Sequence, residues 1–303
     1  IIVSCGGKHS LYNACQVLFE KNDEVIIFSP YWVSFPDFIT VTGATPIFVS
    51  TNSMKQFEPN FDELKNKITN KTKGIIVNSP SNPTGGVWSD KAIYQLLEIC
   101  KKRKDIWIFS DECYEQLVYG QTFDSLASLV PDNSRVLTFQ SCSKTYAMTG
   151  WRIGYTIGDS KIISAMSKLQ GQSTSCPNSI AQYAATEALL GNQQCVIEMR
   201  KVFEKRRNLI LQELNKNQNI TCEIPKGAFY IFPDCSHYLN SYDKNNNIMK
   251  NSTDLAMYIL NETGVVSVAG DSFGSSGHIR FSYATSEETI KTAMSLTNDA
   301  LQK

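Results

Sequence analysis

Short apolar runs alternate with segments of helical periodicity through the first half of the chain. The runs are rich in β-branched and aromatic residues and have the length of buried strands; they are residues 24–28, 46–49, 74–77, 106–109, 135–139 and 153–157. Between them, apolar residues recur three and four positions apart, as they do after Gly7 and after the predicted N-cap Ser89. Strands that alternate with helices predict an α/β fold in which helices cover both faces of a mainly parallel sheet.

A different pattern begins near residue 192. A long charged helix is predicted there, followed by a helix over residues 253–263, strands at 265–268 and 279–283, and a last helix after Ser286. At 303 residues the chain is long enough for two domains. We expect a large domain over residues 1–191, and a connecting helix with a smaller α+β domain over residues 192–303.

Charge and cysteine usage exclude several classes of protein. Lysine plus arginine and aspartate plus glutamate both total 29, which favours neither nucleic acid nor an anionic membrane as a partner. No apolar run approaches the ~20 residues of a membrane span. The nine cysteines form no CxxC pair, and the three histidines have no metal-ligand spacing. We therefore predict no metal, reduced thiols and a cytoplasmic location.

Polar segments follow three of the predicted strands, at the points where those strands end. They read NSPSNPTGG at 78–86, SDECY at 110–114 and QSCSK at 140–144. Because ligands of an open parallel sheet bind at the carboxyl ends of its strands, we expect Lys144 to share one sheet edge with Asp111, Tyr114 and Asn82. Cys113 and Cys142 lie beside these positions but no base accompanies them, so we interpret both as packing residues.

These residue types match the needs of pyridoxal phosphate. The cofactor requires a lysine amine for a Schiff base, a carboxylate at its pyridine nitrogen, donors to its ring oxygen, and an anion pocket for its phosphate. Lys144 supplies the amine, Asp111 the carboxylate, and Asn82 and Tyr114 the donors. The phosphate candidates are the backbone N–H groups of Gly6 and Gly7 at a helix start, with Ser141 and Arg152.

The motifs NSPSNPTGG, SDECYE, SCSKTYAMTGWRIGY and IRFSYATSEE, in this order, closely resemble the class I pyridoxal-phosphate aminotransferases of fold type I. The stretches GGKHSLYNACQVL and SPYWVSFPDF are further similar to the bacterial-type aspartate aminotransferase branch, which includes prephenate aminotransferases. The resemblance covers essentially the whole chain. It implies a large domain with a seven-stranded type of sheet, a smaller C-terminal domain, and a homodimer with the active site at its interface.

The resemblance also assigns roles to single residues. It implies that Lys144 carries the cofactor as a Schiff base and moves the substrate proton, and that Trp32 stacks on the cofactor ring and borders the substrate. Arg280 corresponds to the arginine that grips the substrate α-carboxylate. Lys8, beside the cofactor, corresponds to the lysine that binds the distal carboxylate of a dicarboxylic substrate.

The predicted reaction is transfer of the amino group of L-aspartate to 2-oxoglutarate by a ping-pong mechanism. Two alternatives stay open: an aminotransferase for prephenate or aromatic amino acids, and a non-catalytic, cofactor-binding regulatory domain. A dinucleotide-binding enzyme is excluded because no GxGxxG joins the first strand to its helix. Since relatives carry a further segment before the equivalent of Ile1, with a loop that closes on substrate, we expect an N-terminal part to be missing.

Overall fold

An eight-stranded sheet organises the first half of the molecule, in a computed structural model that describes residues 1–130, 135–244 and 246–302. Its strands are, in chain order, β1 (Ile2–Ser4), β2 (Glu24–Ser29), β3 (Thr45–Asn52), β4 (Glu58–Pro59), β5 (Thr72–Asn78), β6 (Trp107–Asp111), β7 (Val136–Ser141) and β8 (Gly154–Ile157). Across the sheet the strands lie in the order β1–β8–β7–β6–β5–β2–β3–β4. The neighbours from β7 to β3 pair in parallel, whereas β8 is antiparallel to both β7 and β1. The prediction of a mainly parallel sheet is confirmed, and the two-residue β4 adds an eighth strand at one edge.

Helices cover both faces of this sheet. They are α1 (Gly7–Leu18), α2 (Ser34–Thr40), α3 (Phe61–Lys67), α4 (Asp90–Lys101), α5 (Cys142–Thr145), α6 (Ser160–Gly171) and α7 (Ser179–Leu190). Successive side chains of a strand point to opposite faces, so Val25 and Ile27 of β2 pack with α1, α2 and α6, while Ile26 and Phe28 pack with α3 and α4. Ser89 caps α4 as predicted, because its hydroxyl accepts a hydrogen bond from the Ala92 N–H at 3.2 Å.

A second core forms in the C-terminal part of the chain. Its elements are α8 (Gln194–Leu214), β9 (Tyr230–Ile231), α9 (Ser252–Thr263), β10 (Val268–Ala269), β11 (Ile279–Ser282) and α10 (Glu287–Leu301), and its three strands form an antiparallel sheet in the order β10–β11–β9. Ile210, Leu255 and Ile290 pack together at its centre. The predicted strand at 265–268 was placed too early: it begins at Val268, because Gly264 ends α9 in a left-handed conformation and the following residues form the connection.

Two loops of the large sheet contact the segment that leads into β9. The Tyr119 N–H, in the loop after β6, donates to the Lys226 carbonyl at 2.8 Å. The N–H groups of Lys226 and Gly227 in turn donate to the carbonyl of Gly85, in the loop after β5, at 3.0 and 2.9 Å. These bonds bring the carboxyl ends of β5 and β6 against β9 and β11, and the resulting cleft holds the site described below.

Within the described ranges, no helix is both long enough and apolar enough to cross a membrane.

Candidate active site

A cavity of about 350 Å³ lies between the carboxyl ends of β5, β6 and β7 and the small sheet. Ten predicted site residues line it, namely Gly7, Lys8, Trp32, Asn82, Asp111, Tyr114, Ser141, Lys144, Arg152 and Arg280. Gly6, the remaining predicted site residue, is not among the lining residues. It has φ +90°, and a Cβ on it would stand 2.4 Å from Nη2 of Arg152. The residues predicted from strand ends are therefore brought together in one cavity.

Lys144 owes its position to the short helix α5. The hydroxyl of Ser141, the last residue of β7, accepts a hydrogen bond from the Ser143 N–H at 3.1 Å and so caps the helix directly after the strand. One turn later the half-buried Lys144 side chain reaches the cavity, with its Nζ 5.6 Å from the ring centre of Phe229. The amine therefore faces the cavity beside an aromatic ring.

Asp111 is the last residue of β6 and its carboxyl group is buried. Its Oδ1 accepts a hydrogen bond from the Cys113 N–H at 3.3 Å. Loss of solvation on burial raises the pKa of Asp111 to about 7. A protonated ring nitrogen beside this group would stabilise its ionised form.

The neighbouring acid, Glu112, has a structural role outside the cavity. Its side chain accepts hydrogen bonds from the hydroxyls of Ser110 and Ser125 at 2.8 and 2.9 Å, and from the Leu126 N–H at 3.1 Å. The two adjacent carboxyl groups therefore have different roles. Glu112 joins the loop after β6 to the sheet by hydrogen bonds, whereas Asp111 faces the cavity.

Arg280, on β11, enters the cavity from the small sheet. Its Nη1 donates to Oδ1 of Asn82 at 2.8 Å, and its Cζ lies over the rings of Tyr230 and Phe273, 4.6 and 5.0 Å from their centres. The Asn82 N–H donates to Oδ1 of Asn78 at 2.9 Å, which fixes the loop that carries the amide. One edge of the guanidinium is thereby held by protein.

The start of α1 forms an anion pocket with β7 and β8. Among the described residues no side chain caps this helix, so the N–H groups of Gly7 and Lys8 at its start remain available to a ligand. The Gly6 N–H, which was also predicted to bind the phosphate, instead donates to the Ser4 carbonyl at 2.6 Å. A Cβ on Gly154 of β8 would stand 2.3 Å from the Gly7 nitrogen, so glycine there lets the helix start lie directly on the strand. Arg152 has φ 56°, and its Nη1 donates to the Thr149 carbonyl at 2.8 Å.

Four basic side chains and one carboxyl group line the cavity. Among the described residues, none of Lys8, Lys144, Arg152 and Arg280 forms an ion pair. Lys144 and Arg280 are half-buried, whereas Lys8 and Arg152 are exposed. Cations that converge on one cavity without anionic partners indicate an anionic ligand. The residues fit pyridoxal phosphate: an uncapped helix start with Ser141 and Arg152 suits the phosphate, Asp111 suits the ring nitrogen, and Lys144 supplies the amine.

Six lining residues were not among the predicted site residues: Leu11, Asn78, Cys113, Ser143, Thr149 and Tyr230. Asn78 is the last residue of β5, so the strand-end rule contained the signal that would have found it. Tyr230 had no such signal, because it reaches the cavity from the small sheet. Cys113 packs against the core as predicted but also lines the cavity, where burial raises the pKa of its thiol to about 12. Cys142 packs with Met148, as predicted.

The family model for aminotransferases of class I and II matches residues 1–295. The chain belongs to this family. It is therefore an enzyme, and its cofactor is pyridoxal phosphate, as predicted. The fold type implied by the motifs is confirmed as well.

Named relatives and solved structures agree with this family. The aspartate/prephenate aminotransferase of Cereibacter sphaeroides is 42% identical over 295 residues, which are 97% of this chain and 74% of that protein. An aspartate aminotransferase structure from Rhizobium meliloti superimposes with a TM-score of 0.95 at 38% identity, covering 99% of this chain and 76% of that one. The aspartate aminotransferase of Thermus thermophilus with maleate gives a TM-score of 0.91 at 36% identity, with 99% and 75% coverage.

The described part of the aminotransferase contains no group of three or more His, Cys, Asp or Glu side chains that could hold a metal ion.

Proposed function

We propose that this aminotransferase moves the amino group of L-aspartate to 2-oxoglutarate in two half-reactions. The observation that carries the proposal is the presence of two cations, Lys8 and Arg280, in one cavity, without ion pairs among the described residues. A dicarboxylic substrate offers one carboxylate to each. The name of the Cereibacter relative and the maleate in the Thermus structure support this choice, since maleate is a dicarboxylate.

We assign the cofactor to the side of the cavity formed by the large sheet. When bound, it supplies an electron-withdrawing ring that makes the proton on the substrate α-carbon removable. Asp111 would hold the ring nitrogen, and Asn82 and Tyr114 the ring oxygen. Gly7, Ser141 and Arg152 would hold the phosphate, and Gly6 leaves room for the Arg152 guanidinium beside it. Trp32, packed edge-on against Phe35 and Phe38, would stack on the ring.

Lys144 has two roles in this proposal. Its Nζ would hold the cofactor covalently before substrate arrives, and afterwards the freed amine would take the proton from the substrate α-carbon and pass it to the cofactor, which keeps the amino group when the keto acid leaves. Arg280 orients the substrate through its α-carboxylate. Its planar fork can make two parallel bonds, and the bond to Asn82 fixes that plane beforehand.

Lys8 is the residue that selects the second carboxylate. Its Nζ lies over the Trp32 ring, 4.9 Å from the centre. The Trp32 ring, which is proposed to stack on the cofactor, therefore also attracts the Lys8 ammonium group and holds it in place. Prephenate also carries two carboxylates, so the same pair of cations would accept it. The relative named for both substrates makes prephenate the second candidate.

The test is the visible absorption spectrum of the protein loaded with pyridoxal phosphate. Adding L-aspartate without a keto acid should shift the cofactor band, and 2-oxoglutarate should restore it. Lys144→Ala should still bind the cofactor but should form no keto acid from aspartate, because it lacks the amine that moves the proton. The second candidate would be favoured if aspartate does not change the band, but a different amino donor does and prephenate then restores it.

Lys8→Ala tests the selection of the distal carboxylate, with Lys161→Ala as its control. Both lysines are exposed and occupy the second position of a twelve-residue helix, but only Lys8 lines the cavity. Because a hydrogen bond to a charged group contributes about 1.5–3 kcal/mol, kcat/KM for aspartate should fall about 10- to 150-fold in Lys8→Ala. The rate with alanine, which lacks the second carboxylate, should stay the same.

We also propose that the large domain covers residues 1–191 and that the connecting helix and the smaller domain cover residues 192–303. We further propose that the protein acts as a homodimer in the cytoplasm. The homodimer is supported by α7, where Ile180, Tyr183 and Leu190 are 71%, 80% and 82% exposed. The cytoplasmic location is supported by the nine free thiols.

A further inference from the structure

Two tyrosine hydroxyls meet in the wall of the cavity. Tyr114 comes from the loop after β6 and Tyr230 is the first residue of β9, and their hydroxyl oxygens are 2.9 Å apart. Both side chains are buried, and burial raises the pKa of both phenols. Both are therefore neutral near pH 7, and each hydroxyl has one proton to donate.

Because each hydroxyl has a single proton, cofactor binding determines which tyrosine is the donor in the hydrogen bond between Tyr114 and Tyr230. In the proposed function, on which this inference rests, Tyr114 donates its proton to the cofactor ring oxygen. The contact with Tyr230 is then a hydrogen bond only if Tyr230 is the donor. We propose that Tyr230 is a positioning residue, whose hydroxyl directs the Tyr114 proton toward the cofactor and whose ring supports the guanidinium of Arg280.

The ring of Tyr230 serves the substrate end of the cavity. The Arg280 Cζ lies 4.6 Å from the ring centre, a distance at which the face of the ring attracts the cation. Arg280 also contacts the Phe273 ring, at 5.0 Å from its centre, and the Asn82 amide. One side chain thus contacts a group proposed for the cofactor and the group proposed for the substrate carboxylate.

Substitutions can separate the two contacts. Tyr230→Phe removes the hydroxyl but keeps the ring over Arg280, whereas Tyr230→Leu removes both. Tyr238→Phe is the matched control, because Tyr238 is equally buried and also makes one 2.9 Å bond, to Oδ1 of Asn217, but does not line the cavity.

The first measurement is a pH titration of the absorption band of the bound cofactor. A donor to Tyr114 polarises its hydroxyl and strengthens its bond to the negatively charged ring oxygen, so loss of that donor should raise the pH midpoint. With cooperative strengthening of 10–30% per bond, Tyr230→Phe should shift the midpoint upward by about 0.1–0.7 units. Tyr114→Phe should shift it further, the double variant should match Tyr114→Phe, and Tyr238→Phe should leave it unchanged.

The second measurement is the affinity of the loaded enzyme for maleate, followed through the same band. Tyr230→Phe should bind maleate within about twofold of the wild type, and Tyr230→Leu about 2- to 30-fold more weakly, the range of a cation–π contact. This readout separates support of Arg280 from direction of the Tyr114 proton.

An unchanged midpoint in Tyr230→Phe, or a double variant whose shift is the sum of the single shifts, would overturn the hydroxyl role. Normal maleate binding by Tyr230→Leu would overturn the ring role. If the pH-dependent cofactor band is still present in Lys144→Ala, the proposed function is wrong, and this inference is wrong with it because it rests on that function.

Discussion

Asp111 illustrates how one buried side chain connects the stability of the protein to its chemistry. With the carboxyl desolvated, its pKa rises to about 7, whereas a carboxyl in an unfolded chain titrates near pH 4. Between these two values the folded protein holds a proton that the unfolded chain has released. The stability that this proton provides is complete below about pH 4 and is lost as the pH rises toward 7.

We predict that Asp111→Asn removes this pH dependence in the cofactor-free protein. From pH 4.5 to 8, the free energy of unfolding of the wild type should fall by about 1–3 kcal/mol more than that of the variant, because the amide does not titrate. Urea unfolding of both proteins at three pH values measures the difference. Parallel profiles would show that Asp111 titrates in the ordinary range and is not desolvated.

The elements α1, β7 and β8 position the anion pocket by close backbone contact. Gly154 allows the start of α1 to rest on β8, and the three atoms nearest to a Cβ there would be backbone atoms of Gly6 and Gly7, at 2.3 to 2.8 Å. Backbone cannot rotate away as the end of a flexible side chain can, so a substituent must displace the helix. The N–H groups proposed for the phosphate would move with it.

We predict that Gly154→Ala lowers the stability of the protein by about 1–3 kcal/mol and weakens binding of pyridoxal phosphate. Gly150→Ala is the control, because its Cβ would meet nothing within 4 Å. Urea unfolding and titration with the cofactor give the two quantities. Equal cofactor affinity in both variants would show that the helix start does not hold the phosphate.

The elements also show how far the sequence alone predicts the site. Asp111 and Ser141 end long, buried parallel strands, and such strands have an apolar pattern strong enough to mark their ends. The strands β4, β9 and β10 have two residues each, too few for any period to be recognised. Tyr230 lies on one of these, so its contact with Tyr114 depends on packing between distant segments. Arg280 was found only through the resemblance to a family.

At the scale of the whole molecule, α7 presents an apolar surface that none of the described residues covers. Ala181 and Ala185 face the core with Met148 and Ile153, while Ile180, Tyr183 and Leu190 point outward. The exposed Trp151, beside the cavity residue Arg152, continues the same region, since Arg152, Trp151 and Ile180 line one surface hollow. A partner subunit on this surface would therefore reach the edge of the anion pocket, as the proposed homodimer requires.

We predict that Tyr183→Glu weakens the homodimer, because burying an unpaired carboxylate at an interface is costly. Tyr94→Glu is the control: Tyr94 is 50% exposed on α4, which is also a twelve-residue helix but packs with α3 in a different core cluster from α7. Sedimentation velocity over a range of protein concentrations should show a shift from dimer to monomer for Tyr183→Glu alone. If the partner completes the anion pocket, cofactor affinity should fall with dissociation. A monomeric wild type would contradict the homodimer, and full cofactor affinity in a monomeric variant would show that one chain holds the cofactor unaided.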